Sequence, residues 1–169
     1  MDYIWEALIY GIPSGRELTH FAVRLLAASF FGALIGIQRE KSGKPAGFRT
    51  HILVCLGTAL FILACSSVGM TLDALSRVIQ GIVTGIGFIG AGAILKLNNE
   101  QDVKGLTTAA GVWMTAAIGV AAGLGSLGVA LLGTVITLVT LALLMPFEMR
   151  AEKSNKKQAN NGQGTEQQD

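Results

Sequence analysis

Charged side chains are scarce in this chain and are confined to short stretches of it. Only 14% of the 169 residues are charged, whereas 51% are hydrophobic and the mean hydropathy is +0.54. Water-soluble domains carry about 25% charged residues, so the composition excludes an ordinary soluble globular domain. The uncharged windows that remain are about 18 residues or longer, which is the length that a membrane-spanning helix needs.

Cysteines and catalytic motifs are also sparse. Cys55 and Cys65 lie in one apolar segment, about 15 Å apart along a helix, so they cannot pair with each other within it; we predict that both are buried. The acidic residues lie in connections rather than in the spans, which argues against a magnesium site of clustered oxygens and against a proton pathway. The HExxH and Gly-x-Ser-x-Gly motifs are absent from the sequence. We therefore expect no enzyme, no metal, no cofactor and no nucleic-acid partner.

Five long apolar windows, of which only the first holds a charged residue, predict five membrane-spanning helices, and the predicted fold class is an all-α polytopic bundle in the lipid bilayer. The spans are expected at about 18–37, 50–68, 78–95, 106–124 and 127–145. We divide the chain into an N-terminal interfacial segment (1–16), a five-helix transmembrane domain (17–149) and a polar, low-complexity tail (150–169). A tail of this composition is typical of disordered chain.

Glycine is concentrated in the predicted third span, where the fifteen residues from Gly81 to Leu95 include five glycines. In lipid, glycine allows neighbouring helix backbones to approach closely. The glycines of this stretch fall on two sides of a helix, so we predict that the third helix is packed on both sides and is central. The expected packing glycines of the first and third spans are Gly32, Gly36, Gly81, Gly85, Gly87, Gly90 and Gly92.

Lysine and arginine are distributed unevenly between the two predicted sides of the membrane. The connections between spans 1 and 2 and between spans 3 and 4, together with the tail, hold ten basic residues, whereas the opposite side holds only Arg16 and Arg77. The positive-inside rule then predicts an external N-terminus and a cytoplasmic C-terminal tail.

The candidate functional residues lie at the predicted cytoplasmic ends of the helices. Two helix starts there expose backbone amides, which can bind anions, and neighbouring arginines can add charge-assisted bonds. The candidate set is Arg39, Glu40, Lys44, Arg49, Thr50, His51, Thr107 and Thr108. The alternative is structural: threonine caps, basic residues that set the topology and one salt bridge of Glu40 with an arginine.

Two further charged features lie elsewhere in the chain. Arg24 is a charge well inside a predicted span, where it either reaches the interface, forms a structural pair or takes part in transport. Asp73 and Arg77 are spaced as a pair at the start of a helix on the outer face.

Three stretches, REKSGKPAGFRTH, DALSRVIQGIVTGIGFIGAGAI and VKGLTTAAGVWMTAAIG, resemble the MgtC/SapB family of bacterial inner-membrane proteins over about residues 20–145. The resemblance implies a five-helix membrane domain and a role linked to growth in low magnesium. It also implies, for MgtC itself, binding and inhibition of the F-type ATP synthase. Longer members carry a folded cytoplasmic C-terminal domain, whereas this chain has only a polar tail, so the shorter SapB-like type is the nearer match.

Two functions remain open on the sequence. The first is a regulatory membrane protein that docks its helices on a membrane partner, such as the ATP synthase that the resemblance implies. The second is a small transporter or channel for an ion or solute, formed by several copies of the chain. A polar cavity that reaches the middle of the membrane near Arg24 and Gly87 would favour transport, whereas a dry core would favour docking.

Overall fold

The computed structural model describes Tyr3 and residues 14–96 and 103–143. Within the two longer ranges the chain forms five helices: α1 (Gly15–Lys41), α2 (Phe48–Ser67), α3 (Leu72–Gly92), α4 (Leu106–Gly123) and α5 (Leu127–Leu143). Two short strands, β1 (Leu95–Lys96) and β2 (Val103–Lys104), pair antiparallel before α4. The predicted all-helical membrane bundle is confirmed, with one added strand pair.

Four of the helices are long and apolar enough to cross a membrane. Helices α1 to α4 have 27, 20, 21 and 18 residues, with mean hydropathies of 1.4 to 1.8 in their most apolar windows. Helix α5 is described over 17 residues, which is near the lower limit of about 17 for a spanning helix. The five helices agree in order with the five spans that the sequence predicts, and four of them are long enough to count as spans.

Side-chain caps begin α1 and α3 earlier than we expected. Ser14 accepts a hydrogen bond from the Glu17 backbone, and Glu17 Oε2 accepts one from Ser14 N–H at 2.8 Å, so that α1 begins at Gly15. Thr71 caps α3 in the same way, because a side-chain oxygen satisfies an amide that has no partner in the helix. Residues 1–13 of the predicted interfacial segment, apart from Tyr3, and the whole tail lie outside the described residues, so the domain limits stay predictions.

Helix α2 lies between α1 and α4, which pack closely on two sides of it. On the α1 side, a Cβ added to Gly32 would lie 2.7 Å from the His51 carbonyl oxygen, and one added to Gly36 would lie 2.7 Å from Phe48 Cα. Glycine at both positions therefore allows the two backbones to touch.

The α4 side of α2 shows the same close approach. A Cβ added to Gly119 would collide with Thr58 Oγ1 and the Cys55 carbonyl oxygen, and one added to Gly123 would lie 2.8 Å from the Ala59 carbonyl oxygen. Cys55 and Cys65 are both buried free thiols on α2, as predicted. The core of the protein is therefore a three-helix unit of α1, α2 and α4.

The prediction that the third helix is central is wrong for a single copy of the chain. Only 11% of an 18-residue window of α3 is buried, against 39% in α2 and 50% in α4. Among residues 14–96 and 103–143, a Cβ added to Gly81, Gly85, Gly87 or Gly92 would meet no other atom within 4 Å, and one added to Gly90 would make only an ordinary contact with Ala109. The physical reason is that α4 carries its own row of small residues and takes the place beside α2.

The row of small residues on α4 repeats every four positions: Gly111, Thr115, Gly119 and Gly123. All four are buried. Spacing of four places residues on one face of a helix, so the row forms a continuous seam against α2. Helix α3 then packs on the outer side of α4, through Ile86 and Gly90.

Glycine is required where the strand pair leads into α4. Gly105 has φ +98°, a left-handed conformation that side chains other than glycine rarely adopt. A Cβ there would also collide with the Ala93 carbonyl oxygen. The end of α3 and the start of α4 are therefore held against each other at this point.

Candidate functional site

Buried polar side chains from three helices meet at one end of the bundle, which we call the basic end. It is the end at which α1 and α3 finish and α2 and α4 begin. Arg39 of α1 is 2% exposed there, and its Nη2 donates a hydrogen bond to Thr108 Oγ1 of α4 at 3.1 Å. A buried cation is costly unless it is hydrogen-bonded, and this bond ties α1 directly to α4.

His51 continues the polar contacts one step deeper. Its ring is fully buried on α2, and Nδ1 lies 2.7 Å from Thr115 Oγ1 of α4. The Thr115 hydroxyl also donates to the Gly111 carbonyl oxygen at 2.8 Å. Nε2 of the ring is buried and has no hydrogen-bond partner within the described residues. The pair joins α2 to α4 within the core.

Glu40 performs a different task from the one we expected. We expected an ion pair with Arg39 or Arg49, and Glu40 forms none with them in the described part of the chain. Glu40 Oε2 instead accepts a hydrogen bond from Phe48 N–H at 2.9 Å. Gly47, the residue before α2, has no side chain to cap the helix, and a Cβ there would lie 3.1 Å from the same carboxylate oxygen. The carboxylate therefore caps α2 from the end of α1, where a negative charge is favoured by the helix dipole.

The predicted polar residues do not all join one cluster. Arg39 contacts Thr108, and Glu40 contacts the start of α2, whereas Arg49 is exposed and Thr50 is half-buried. Neither Arg49 nor Thr50 makes a side-chain hydrogen bond within residues 14–96 and 103–143. Lys44 and Thr107 line a cavity beside Arg39.

Thr115 and Gly111 are the site residues that sequence reasoning missed. We treated the fourth span only as rich in alanine, glycine and threonine. The signal was present in the four-residue spacing of Gly111, Thr115, Gly119 and Gly123, which is typical of a close-packed membrane helix. Thr115 lies on that seam at the same height in the bundle as His51, and the two side chains therefore touch.

Arg24 lies at the opposite end of the bundle, at the turn between α4 and α5. Its Nη1 donates to the Gly123 carbonyl oxygen at 3.1 Å, and its guanidinium covers Gly125, where a Cβ would lie 2.7 Å from Nη2. A cation at the end of a helix is stabilised by the helix dipole. The geometry matches the structural alternative for Arg24, because its contacts are to the carbonyl end of α4.

Asp73 and Arg77 lie one turn apart on the exposed side of α3. They are part of that helix, not of the connection before it, because Thr71 caps α3 ahead of them. Within the described residues, no group of three or more His, Cys, Asp or Glu side chains is arranged to hold a metal ion. Two acidic residues that the sequence placed in connections, Glu100 and Asp102, lie outside that range.

Known proteins resemble the chain over most of its length. A family model described as the MgtC family matches residues 25–150. SrpB of Synechococcus elongatus is 45% identical over 142 residues, which are 78% of this chain and 78% of SrpB. MgtC of Salmonella typhimurium LT2 is 45% identical over 130 residues, which are 77% of this chain but 54% of MgtC.

A further relative carries a name that concerns transport. YhiD of Escherichia coli K12, named as a proposed magnesium transporter, is 41% identical over 143 residues, or 80% of this chain. The matched region covers 65% of YhiD and 54% of MgtC. The rest of each relative is therefore not matched by this chain. No solved structure matches the chain.

Proposed function

The chain belongs to the MgtC family, and from this premise we propose that it is a non-enzymatic regulatory protein of the bacterial inner membrane. Its role is linked to magnesium limitation and ion homeostasis, and it acts by docking helix α3 on a membrane-protein partner. The relatives support the magnesium link through the name of YhiD. The resemblance described above supports the F-type ATP synthase as the partner.

The observation that carries the proposal is the unoccupied glycine face of α3. Gly81, Gly85 and Gly92 lie on one side of the helix, and no atom of the described residues comes within 4 Å of a Cβ placed on any of them. Glycine weakens a helix by about 1 kcal/mol relative to alanine. In lipid, this loss is offset when the backbone of another helix packs closely against the glycine. A partner helix would supply that backbone.

Polar side chains beside the glycines support the same conclusion. Gln80 and Thr84 are exposed on α3, and Gln80 lies about 12 Å along the helix from Leu72. The Thr84 hydroxyl donates to the Gln80 backbone carbonyl at 2.9 Å, but an exposed glutamine amide is unfavourable in hydrocarbon. A partner helix would bury this amide and provide a hydrogen bond to it.

The core of the bundle also favours docking over transport. The buried hydroxyls of Thr58, Thr115 and Thr134 donate to backbone carbonyls of their own helices. The three cavities described in the structure are not lined by Arg24 or Gly87. The described residues therefore form no polar cavity at Arg24 and Gly87 of the kind that transport was expected to need, which supports docking.

The test is purification of the tagged protein from inner membranes in a mild detergent, with quantification of the co-purified ATP synthase subunits. We expect Gly85→Leu and Gly92→Leu to leave the amount of folded protein and its melting temperature unchanged. Both should reduce the co-purified ATP synthase about tenfold, because overpacking of a close interface costs about 1–3 kcal/mol.

Gly128→Leu is the matched control, since Gly128 is an exposed glycine on α5 with no atom within 4 Å of its Cβ position. An equal loss with this control would exclude α3 as the docking face. Absence of ATP synthase from the wild-type sample would exclude that partner. Growth in low magnesium, measured for the same variants, links the contact to the physiological role.

A small transporter or channel is the second candidate, and one observation favours it. Asp73, Arg77, Gln80 and Thr84 are all exposed and form a polar row along α3, which would line a pore if several copies met through this helix. Magnesium flux into liposomes that contain the purified protein distinguishes the two functions. Flux that Gln80→Leu abolishes would support the transporter and contradict the docking proposal.

A further inference from the structure

A cavity of about 760 Å³ opens between the end of α1, helix α4 and helix α5. The residues that line it change from polar to apolar along the helix axes. At the basic end the lining includes Arg39, Lys44 and Thr107, and towards the middle of the bundle it includes Trp113 and Ile136. The cavity is therefore polar and cationic at one end and apolar along the rest of its length.

The dimensions of the cavity fit a chain-like molecule that lies along the helices. From Thr107 to Met114 the lining extends over seven residues of α4, or about 10 Å along the helix axis. Trp113 is 48% exposed, so the apolar part of the cavity is open on the side that faces the bilayer. A molecule that already lies in the bilayer can therefore enter from the side.

The charges of the lining select the sign of the occupant. Arg39 and Lys44 are cationic, and among the described lining residues no side chain is acidic. The N-terminus of α4 begins at the same place, where the helix dipole adds partial positive charge. The hydrogen bond from Arg39 to Thr108 holds the guanidinium at the edge of the cavity. An anionic group is therefore favoured at this end.

We propose that this cavity binds an anionic phospholipid, with its headgroup phosphate beside Arg39 and Lys44 and an acyl chain against Trp113 and Ile136. Basic pockets between membrane helices on the cytoplasmic side are a known means of binding anionic lipid headgroups. The expected topology puts the basic end on that side. The site is separate from the exposed face of α3 and does not depend on the docking proposal.

Trp113 provides a direct reporter of an acyl chain in the cavity. The chain has two tryptophans, so Trp5→Phe leaves Trp113 as the single source of tryptophan fluorescence. The purified variant, in detergent, is titrated with phosphatidylglycerol or phosphatidylcholine that carries brominated acyl chains, which quench tryptophan on contact. We expect saturable quenching near one lipid per chain with phosphatidylglycerol, and a much weaker response with phosphatidylcholine.

The headgroup contact is tested with one lysine against another. Lys44→Gln should weaken the response to phosphatidylglycerol about fivefold, the size expected for one cation near a membrane surface. Lys41→Gln is the control, because Lys41 is exposed at the same end but does not line the cavity. Equal quenching by the two lipids, or equal weakening by the two substitutions, would overturn the proposal.

The acyl-chain contact is tested by filling the cavity. Ala110 lines it and is exposed, so Ala110→Leu should remove most of the quenching without unfolding the protein. Ala22→Leu, at an exposed position of α1 that does not line the cavity, is the control and should not change the quenching. The competing occupant is the segment of the chain that follows α5, because α5 ends at the basic end: if deletion of residues 150–169 creates phosphatidylglycerol binding that the full chain lacks, the cavity belongs to that segment and the proposal fails.

Discussion

At the residue scale, the polar side chains at the basic end connect particular pairs of helices. Arg39 joins α1 to α4, His51 joins α2 to α4, and Glu40 joins the end of α1 to the start of α2. The contacts of His51 and Glu40 cross between helices that also touch through glycine. These side chains therefore fix the register in which α1, α2 and α4 pack, in addition to any ligand that they bind.

Glu40 and Arg49 are expected to respond differently to substitution. Glu40→Gln keeps the shape of the α2 cap but removes its charge, so we expect a loss of about 0.3–1 kcal/mol in stability. Arg49→Ala should change stability by less than about 0.5 kcal/mol, because Arg49 is exposed. Thermal unfolding in detergent measures both effects. If Arg49→Ala lowers the melting temperature more than Glu40→Gln, the assignment of Glu40 as the cap is wrong.

At the scale of the helices, α3 and α4 show that similar glycine patterns can have opposite surroundings. Gly81 and Gly85 on α3 are four residues apart, as are Gly119 and Gly123 on α4. The pair on α4 touches the backbone of α2, whereas a Cβ on either glycine of the α3 pair would touch none of the described residues within 4 Å. A spacing of small residues therefore indicates a contact surface without identifying the molecule that covers it.

Substitution of one glycine from each helix separates a core contact from an external one. Gly119→Ala should destabilise the bundle by about 1–3 kcal/mol, because the methyl group collides with Thr58 Oγ1 and the Cys55 carbonyl oxygen. Gly85→Ala should leave stability unchanged or slightly higher, since alanine favours the helix. Melting temperatures of the purified variants in detergent test the difference, and equal destabilisation would contradict the peripheral position of α3.

At the scale of the whole molecule, the number and order of the helices could be predicted because they follow from the number and order of the long apolar runs in the sequence. Four of the five helix starts were within three residues of their predicted positions, and the exception was α3, where Thr71 caps the helix six residues earlier than expected. Gly32 and Gly36 were expected to pack and lie against α2.

The neighbours of each helix could not be predicted in the same way. Whether α3 or α4 lies beside α2 depends on contacts between segments that are distant in the sequence. Hydropathy does not distinguish the two helices, since both have a mean hydropathy of 1.4. The site had the same difficulty. Glu40 was expected to pair with an arginine beside it in the sequence, but the fold brings its carboxylate to the Phe48 amide instead.

The orientation of the molecule in the membrane is a prediction that single cysteines can test. With Cys55 and Cys65 replaced by alanine, Lys41→Cys and Ser126→Cys place exposed thiols at opposite ends of the bundle. We expect a membrane-impermeant maleimide to label Ser126→Cys in intact cells and to label Lys41→Cys only after lysis, because the basic end should be cytoplasmic. The reverse pattern would invert the topology.

The seam between α2 and α4 also bears on how the protein is made. The ribosome delivers α1 and α2 first, and these two helices already fit each other through Gly32 and Gly36. These contacts allow the two helices to form a hairpin in the bilayer before α4 emerges. Helix α4 is less hydrophobic than α2, with a mean hydropathy of 1.4 against 1.8. Packing against the α1–α2 hairpin therefore helps α4 to stay in the bilayer. Helix α3 is synthesised between them, and because only 11% of its most apolar window is buried, it leaves the place beside α2 open for α4.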